Sequence, residues 1–357
     1  MLMAEKSSSK TVIAVTGASG QLGRLVVSRL LVDESVSEVR AIDLAASPLT
    51  DPKLVYHQVD IRNDEIADCF EGVDVVIHLA FVVTHYLPRH EFDEINVGGS
   101  RNVFECAATK GVHQVIYVSS VAAYGVCAGH SLPIKEDAAR VHVKAFPYSS
   151  AKFQVEEFLD QFEQQHGSMR IARLRPSILV GTNMNNPLSA LFKRALEKGY
   201  LVGSDHIPMP LVWDEDVAEA CLLAIKNKAH GAFNLSAQEL SSTREIAQSL
   251  GLRALDPKGP LKLLLDTISI AKARLRAKDA IDPAWSRYGN IPMNQCIEKA
   301  KAELGWTPRY NSSLSIIRKF VEELHPEGLP ATKATHFQPG KTILNISQTI
   351  TKRILGG

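Results

Sequence analysis

A short apolar run, Thr11-Val12-Ile13-Ala14-Val15, ends at Thr16 and is followed by Gly17, Gly20 and Gly23. A β-branched run without polar interruption reads as a strand buried on both faces, the kind found inside a parallel sheet. Beyond the glycines, Leu22, Leu25, Val26 and Leu30 recur at helical spacing. A strand, a glycine turn and a helix in that order admit few folds. The first glycine reaches backbone angles closed to other residues. The second lets the main chain approach a pyrophosphate, and the third lets the helix pack close to the sheet. The helix N-terminus they precede favours an anionic group. The spacing is Gly-x-x-Gly-x-x-Gly rather than the commoner Gly-x-Gly-x-x-Gly, so three turn glycines without a ligand are the bland alternative.

Further strands are expected at 39–42, 54–59, 73–79, 114–118 and 169–174. Helices are expected at about 21–31, 91–109 and around Tyr148. Strands alternating with helices imply parallel pairing through right-handed crossovers, hence an α/β, doubly wound parallel sheet. After Pro176 the strand candidates shorten, and Pro187, Pro208, Pro210, Pro257 and Pro260 punctuate the chain. The expected organisation is a frayed tail over 1–10, a dinucleotide-binding domain over 11–176, and a smaller, mainly helical substrate lobe over 177–325. Segments of that lobe are expected to return to the main sheet. A C-terminal extension follows over 326–357.

Asp43 closes the second strand, 20 residues beyond Gly23. A carboxylate there accepts both ribose hydroxyls of NAD and repels the 2′-phosphate of NADP, so NAD is favoured. The alternative is an Asp that merely caps a loop. Tyr148 and Lys152 lie four residues apart in Tyr-Ser-Ser-Ala-Lys, and on a helix they share a face. An ammonium beside a phenol favours the phenolate. Tyr148 is therefore expected to titrate below its ordinary value and to serve as a general acid–base. A solvated helix face carrying the same pair is the competing reading.

Composition narrows the function class. Forty Lys plus Arg against 39 Asp plus Glu leave a formal charge of +1, which gives no electrostatic reason to expect nucleic acid or an anionic membrane. Five cysteines show neither zinc nor disulfide spacing, which fits a reducing cytoplasmic setting. No apolar run reaches the length of a membrane span, and the first ten residues lack the apolar core of a signal peptide. His78, His85, His90 and His113 have no ligand spacing, and no metal is expected.

The chain resembles the extended short-chain dehydrogenase/reductase family, which includes the NAD-dependent epimerases and dehydratases. Besides the glycine loop and Tyr148/Lys152, the likeness rests on Val-Asp-Ile at 59–61, His-Leu-Ala at 78–80 and Asn96-Val97. It also rests on Val-Ser-Ser-Val-Ala-Ala-Tyr-Gly at 118–125, Leu-Arg-Pro at 174–176, Trp-Asp-Glu-Asp-Val-Ala-Glu-Ala at 213–220 and Leu-Gly-Trp-Thr-Pro at 304–308. The resemblance implies a Rossmann-like fold and an oxidoreductase. Ser120 is the expected catalytic hydroxyl beside Tyr148, with Ser119 as competitor, and Lys152 is expected to bond the nicotinamide ribose. Asn96 is expected to order a proton relay, or else simply to satisfy buried backbone. The implied cofactor contacts are Gly17, Ser19, Gly20, Gln21, Leu22, Gly23 and Asp43 around the phosphates and ribose, and Asp60 and Ile61 near adenine. Leu79, Ala80 and Phe81 follow along the adenosine side, and Asn96, Val118, Tyr148 and Lys152 lie toward the reacting ring. Pro176 and Ser177 are expected at the nicotinamide amide. A homodimer is implied by analogy.

Within that family, 4,6-dehydratases carry an acidic pair where this chain has Val121 and Ala122, which cannot exchange protons. Sugar-nucleotide epimerases commonly place arginines in the second lobe. Residues 203–213 contain none, and Arg287 lies in uncertain register. The favoured expectation is NAD-dependent hydride transfer at a secondary alcohol or ketone. A nucleotide-sugar 4-epimerase with bound NAD is the enzymatic rival, and a dinucleotide-sensing regulatory protein is the non-enzymatic one. The apolar helix expected at 261–275 and the amphipathic tail at 340–357 are candidates for covering a hydrophobic substrate, a subunit neighbour or a membrane surface. Asn345-Ile346-Ser347 matches a glycosylation acceptor but is discounted.

Overall fold

A computed structural model describes residues 10–83, 87–181, 187–256, 284–285 and 291–327. The chain divides into two compact units, Met1–Phe320 and Val321–Gly357. Residues on both sides of Pro176 belong to the first unit. The expectations for His85, Arg287, the helix at 261–275, the first nine residues and the tail from 328 onward lie outside the described residues.

Among the described residues, the first unit is built on seven parallel strands. They are β1 (Thr11–Thr16), β2 (Val36–Ile42), β3 (Leu54–His57), β4 (Val75–His78), β5 (Gln114–Val118), β6 (Arg170–Pro176) and a later strand, Gly231–Leu235. Their spatial order runs from Gly231–Leu235 through β6, β5, β4, β1 and β2 to β3. The order reverses between β4 and β1, which is where doubly wound sheets leave a crevice at their carboxyl edge. All six strands read from the sequence are present, with shifted ends: β2 begins at Val36, and β3 and β4 are shorter than expected.

The apolar runs exist because both faces are covered. Ile13, Val15, Val75, Ile77, Ala172 and Leu174 face a core shared with Val26, Val27 and Leu30 of α1 (Gln21–Val32). Ala14, Val76, Val115, Tyr117 and Ile171 face the opposite core, which holds Phe104, Leu159 and Phe162. Neighbours in sequence thus serve different layers, as a period of two requires. Residues Gly231–Leu235, which lie within 177–325, pair with β6 in register from Ala172 to Pro176.

Beyond β6 the described residues hold three short strand pairs as well as helices. Ile178–Val180 pairs with Leu211–Trp213, Pro208–Met209 with Ser241–Ser242, and Tyr200–Val202 with Arg253–Leu255. The helix Asp214–Lys226 packs on α1, and its first turn is fixed by Trp306, whose ring nitrogen donates to the Asp216 carbonyl at 2.8 Å. That contact links the Trp-Asp-Glu-Asp and Leu-Gly-Trp-Thr-Pro segments.

Candidate active site

The glycine turn is sterically determined. Gly17 has φ +70°, and a Cβ on it would lie 2.6 Å from the Ala80 amide nitrogen at the end of β4. A Cβ on Gly23 would lie 2.1 Å from the Gly17 carbonyl oxygen. The turn therefore needs a left-handed residue without a side chain first, and a bare face in the first turn of the helix that follows. Helix α1 begins after Gly20 with no side-chain cap among the described residues. The Gly17 amide is held by the Ile42 carbonyl at 2.9 Å, which ties the turn to the end of β2.

Asp43, just past β2, faces this turn. Its two carboxylate oxygens accept from the Ser19 and Ala45 amides, each at 3.0 Å, and the Ser19 hydroxyl donates to the Ala45 carbonyl at 2.6 Å. The carboxylate keeps lone pairs for further donors. Asp60 is paired with the Arg62 guanidinium, at 2.7 Å to the closer nitrogen, and these hydrogen bonds hold it below the usual carboxylate range. Ile61 is buried against Gly99, where a Cβ would lie 2.6 Å from the Ile61 side chain.

Past β4, the Leu79 amide donates to the Thr16 carbonyl and the Ala80 amide approaches the Thr16 hydroxyl. The helix expected at 91–109 is interrupted. Arg89–Asp93 is α-helical, Glu94–Gly98 makes one wider π turn, and α-helix resumes over Gly99–Thr109. That turn presents buried Asn96 to Val82. The Asn96 side chain accepts from the Val82 amide at 2.7 Å and donates to its carbonyl at 2.9 Å. Of the two expectations for Asn96, satisfying backbone is the one its contacts display.

At the end of β5, Ser119 and Ser120 diverge. The Ser119 hydroxyl points into the protein and donates to Glu156 at 2.6 Å. Ser120 caps the short 3-10 turn Val121–Tyr124, accepting from the Ala122 amide at 3.2 Å, and its side chain acts on the Tyr148 phenol, opposing the rise that burial causes. Ser119 is thus committed to Glu156, which leaves Ser120 as the serine that acts on Tyr148.

Tyr148, Lys152 and Glu156 follow one another at four-residue spacing along α5 (Pro147–Gln165). The half-buried Tyr148 ring stands edge-on to Phe81 at 5.7 Å and lies 5.3 Å from Trp285. Phe146 packs 5.0 Å from Trp285, and Val121, Val126, Ile134 and Met293 complete the same apolar cluster. Lys152 is buried. Its ammonium donates to the Val118 carbonyl at 2.9 Å and the Tyr117 hydroxyl at 3.3 Å, and it lies 3.6 Å over the Phe81 ring centre. Burial brings Lys152 down to about 7, with the Glu156 carboxylate opposing the fall.

The expected depression of the Tyr148 phenol is not found. Burial raises it, and the Ser120 side chain offsets only part of the rise. The reason lies in Lys152: its hydrogen bonds go to Val118 and Tyr117, and its own charge is marginal near neutrality.

Pro176 ends β6, and the Ser177 amide donates to the Leu235 carbonyl at 2.8 Å. The buried Ser177 hydroxyl has no hydrogen-bond partner among the described residues. The side-chain-free turn at Gly17, the uncapped α1 and this orphan hydroxyl all suit a dinucleotide laid across the carboxyl edge of the sheet.

Two features escaped the sequence reading. One is the row Thr16–His78–Ser100–Asn96, bonded at 2.7, 2.9 and 2.6 Å. The other is Glu156, whose carboxylate sits among Arg173, Arg175 and Arg140. Its position one turn past Lys152 was the available signal. Among the described residues no three His, Cys, Asp or Glu side chains cluster as a metal site, and no helix is long and apolar enough to cross a membrane.

Comparison with known proteins agrees with this geometry. The chain is 27% identical over 317 residues to the uncharacterized protein y4nG of Sinorhizobium fredii, spanning 86% of this chain and 77% of that one. It is 28% identical over 233 residues to the 3-beta-hydroxysteroid dehydrogenase of Mycolicibacterium neoaurum, covering 61% and 62%. A shorter match, 32% over 121 residues, reaches the Monkeypox virus 3 beta-hydroxysteroid dehydrogenase/Delta 5→4-isomerase but spans only 35% of that protein. Among solved structures, the fold superposes on a UDP-glucose 4-epimerase of Thermotoga maritima at TM-score 0.67 and 20% identity, covering 90% and 100% of the two chains. It also superposes on the Bordetella bronchiseptica enzyme WbmG, solved with NAD, at TM-score 0.68 and 18% identity, covering 91% and 96%. The family model described as "NAD dependent epimerase/dehydratase family" matches residues 13–236. On that match the chain is an enzyme of the NAD dependent epimerase/dehydratase family, within the extended short-chain dehydrogenase/reductases, and NAD is the cofactor the family implies for it.

Proposed function

We propose that the protein is an NAD-dependent dehydrogenase or reductase acting on a secondary alcohol or ketone carried by an apolar, ring-bearing substrate. The observation that carries this reading is the Tyr148 ring, framed by Phe81, Phe146 and Trp285. An aromatic wall suits a flat apolar body, whereas a sugar nucleotide needs cations for its diphosphate. The named hydroxysteroid dehydrogenases among the relatives support the same substrate class.

On this reading residues 11–176 hold the cofactor and 177–325 contribute the substrate side. Gly17, Ser19, Gly20, Gln21, Leu22 and Gly23 cradle the pyrophosphate, and Asp43 takes the adenosine ribose. Asp60 and Ile61 flank the adenine, with Leu79, Ala80 and Phe81 along the nucleoside. Val118 anchors Lys152, which takes the second ribose together with Tyr148, while Asn96 holds the Val82 backbone beside them. Pro176 and Ser177 meet the nicotinamide amide. NAD when bound supplies the hydride acceptor. Tyr148 takes the proton from the substrate hydroxyl, or returns it in reduction, and Ser120 donates to the oxygen as charge develops on it. Two copies of the chain are expected to associate through helices of the cofactor half.

The test is direct. Purified protein is titrated with NAD and NADP by calorimetry, then offered a 3β-hydroxysteroid with NAD while NADH absorbance is followed. NAD is expected to bind more tightly than NADP, and NADH to accumulate. Tyr148→Phe is expected to cut turnover by about 10²–10⁴-fold while leaving NAD binding in place. Interconversion of UDP-glucose and UDP-galactose without net NADH would replace this reading with the epimerase. Absence of binding by either dinucleotide would remove both.

A further inference from the structure

We propose that His78 is a positioning residue: its ring, protonated on Nε2, joins Thr16 to Ser100 and so clamps residues 80–82 between the glycine turn and the Tyr148–Lys152 pair. That these residues border the cofactor rests on the function proposed above. The clamp itself rests on geometry.

Counting hydrogens fixes the direction of the row. The Ser100 hydroxyl has one proton, and it goes to the Asn96 carbonyl at 2.6 Å. Toward His78 Nε2, 2.9 Å away, Ser100 can therefore only accept, so that nitrogen carries the ring proton. The opposite tautomer would set a bare Nε2 against the Ser100 oxygen with no proton between them. Nδ1 is then an acceptor, and the Thr16 hydroxyl donates to it at 2.7 Å. With its proton spent, Thr16 can only accept from the Ala80 amide, 3.4 Å away. The order is Ala80 to Thr16 to His78 to Ser100 to Asn96, and every donor meets an acceptor.

The two ends of this row grip one short segment. Ala80 is held through Thr16. Val82 is held at both of its backbone groups by the Asn96 side chain, at 2.7 and 2.9 Å. Phe81 lies between the two grips. The centre of its ring is 3.6 Å from the Lys152 ammonium, and the ring stands edge-on to Tyr148 at 5.7 Å. On the other side the Ala80 backbone closes on Gly17, where a Cβ would lie 2.6 Å from the Ala80 nitrogen. A shift at Ala80 therefore reaches the glycine turn and the Tyr148–Lys152 pair together.

His78 is itself held in place. Thr16 and His78 are direct partners across β1 and β4. The imidazole stacks on Tyr117 at 5.6 Å with the rings 20° apart, and meets Phe104 edge-on at 5.8 Å. Burial, aided by Lys152, brings it down to about 3. The single-proton ring that the row requires is thus the form present at neutral pH.

The test begins without a ligand. The full-length chain, labelled with ¹⁵N in its histidine rings, is measured by NMR near neutral pH, and His78→Gln identifies the resonances. His78 is expected in the Nε2–H form alone. Calorimetry with NAD follows. Thr16→Val, which keeps the shape and loses the hydroxyl, and Ser100→Ala are each expected to weaken NAD binding about three- to tenfold. Thr16→Ser, which keeps the hydroxyl, is expected to stay within about twofold of the parent. Thermal unfolding confirms that each variant folds; should Thr16→Val fail to fold, Ser100→Ala against Thr16→Ser decides alone. A proton on Nδ1 overturns the clamp. So does NAD affinity unchanged in the folded hydroxyl-free variants, or lowered as far by Thr16→Ser. Turnover with NAD but a proton on Nδ1 removes the clamp and spares the proposed function. The Nε2–H form with the expected losses of NAD affinity, but no turnover, does the reverse. A parent protein that binds no NAD removes both.

Discussion

Tyr148 and Lys152 have proton affinities that the protein interior moves apart: burial raises the phenol and brings the ammonium down to about 7. A phenol that holds its proton through neutral pH is a ready acid for ketone reduction. It is a poor base for alcohol oxidation until the pH climbs. The expected outcome is an oxidative kcat/KM that still rises above pH 9, against a reductive rate that is flat or falling over the same range. Paired pH–rate profiles in the two directions check this, and a plateau of oxidation below pH 8 would mean that the phenol is not the base. Spacing in the sequence was enough to bring Tyr148 and Lys152 onto one helix face. It could not reveal that the amine would be spent on Val118 and Tyr117, because those acceptors come from a strand 34 and 35 residues earlier in the chain. Pairwise spacing reports neighbours on one element only.

Helix α1 and the glycine turn form the element on which cofactor binding depends most. Gly23 leaves no room for a methyl group between the helix and the Gly17 carbonyl. Gly23→Ala must push the helix N-terminus away from the turn. The expected result is at least a tenfold loss of NAD affinity, measured by calorimetry, together with about 1–3 kcal/mol of lost stability in urea unfolding. Unchanged affinity would show that the turn does not hold the pyrophosphate. This element was fully legible, since strand, glycines and helix are local. The helix through Asn96 was not. Its apolar spacing read as one continuous helix, yet Glu94–Gly98 widens by a residue per turn, and an added residue leaves no mark on so short a pattern. The reason for the widening is long-range: it lets Asn96 meet both backbone groups of Val82.

At the scale of the whole first unit, Gly17, Asp43, Leu79, Val118 and Pro176 lie at the carboxyl ends of five neighbouring strands. That convergence follows from the doubly wound order, which strand–helix alternation already implied. The seventh strand was less visible. The sequence implied that segments after Pro176 return to the sheet without marking which, and Gly231–Leu235 joins it through pairing with β6, a contact between segments more than 50 residues apart.

The same sheet carries its polar groups inside its cores, and this gives the protein a characteristic response to acid. His78 is wholly buried between Thr16 and Ser100, and burial, aided by Lys152, brings its imidazole down to about 3 from an ordinary 6.5. Between those values the unfolded chain takes a proton that the folded chain refuses, so stability falls as the pH drops from 6.5 toward 3. Glu156, at about 2 against an ordinary 4.5, adds stability that is complete above 4.5 and is lost between 4.5 and 2. The two windows overlap only below 4.5. Burial also lowers His57 and His142, but both are partly exposed, so their share between 6.5 and 4.5 is smaller. Thermal midpoints measured from pH 7 to 4.5 should therefore decline in the parent protein and decline less steeply in His78→Gln, even though the variant starts from a lower midpoint. An identical slope in the two proteins would show that His78 accepts its proton without leaving the core, and that the Thr16–His78–Ser100 row is looser than its distances indicate.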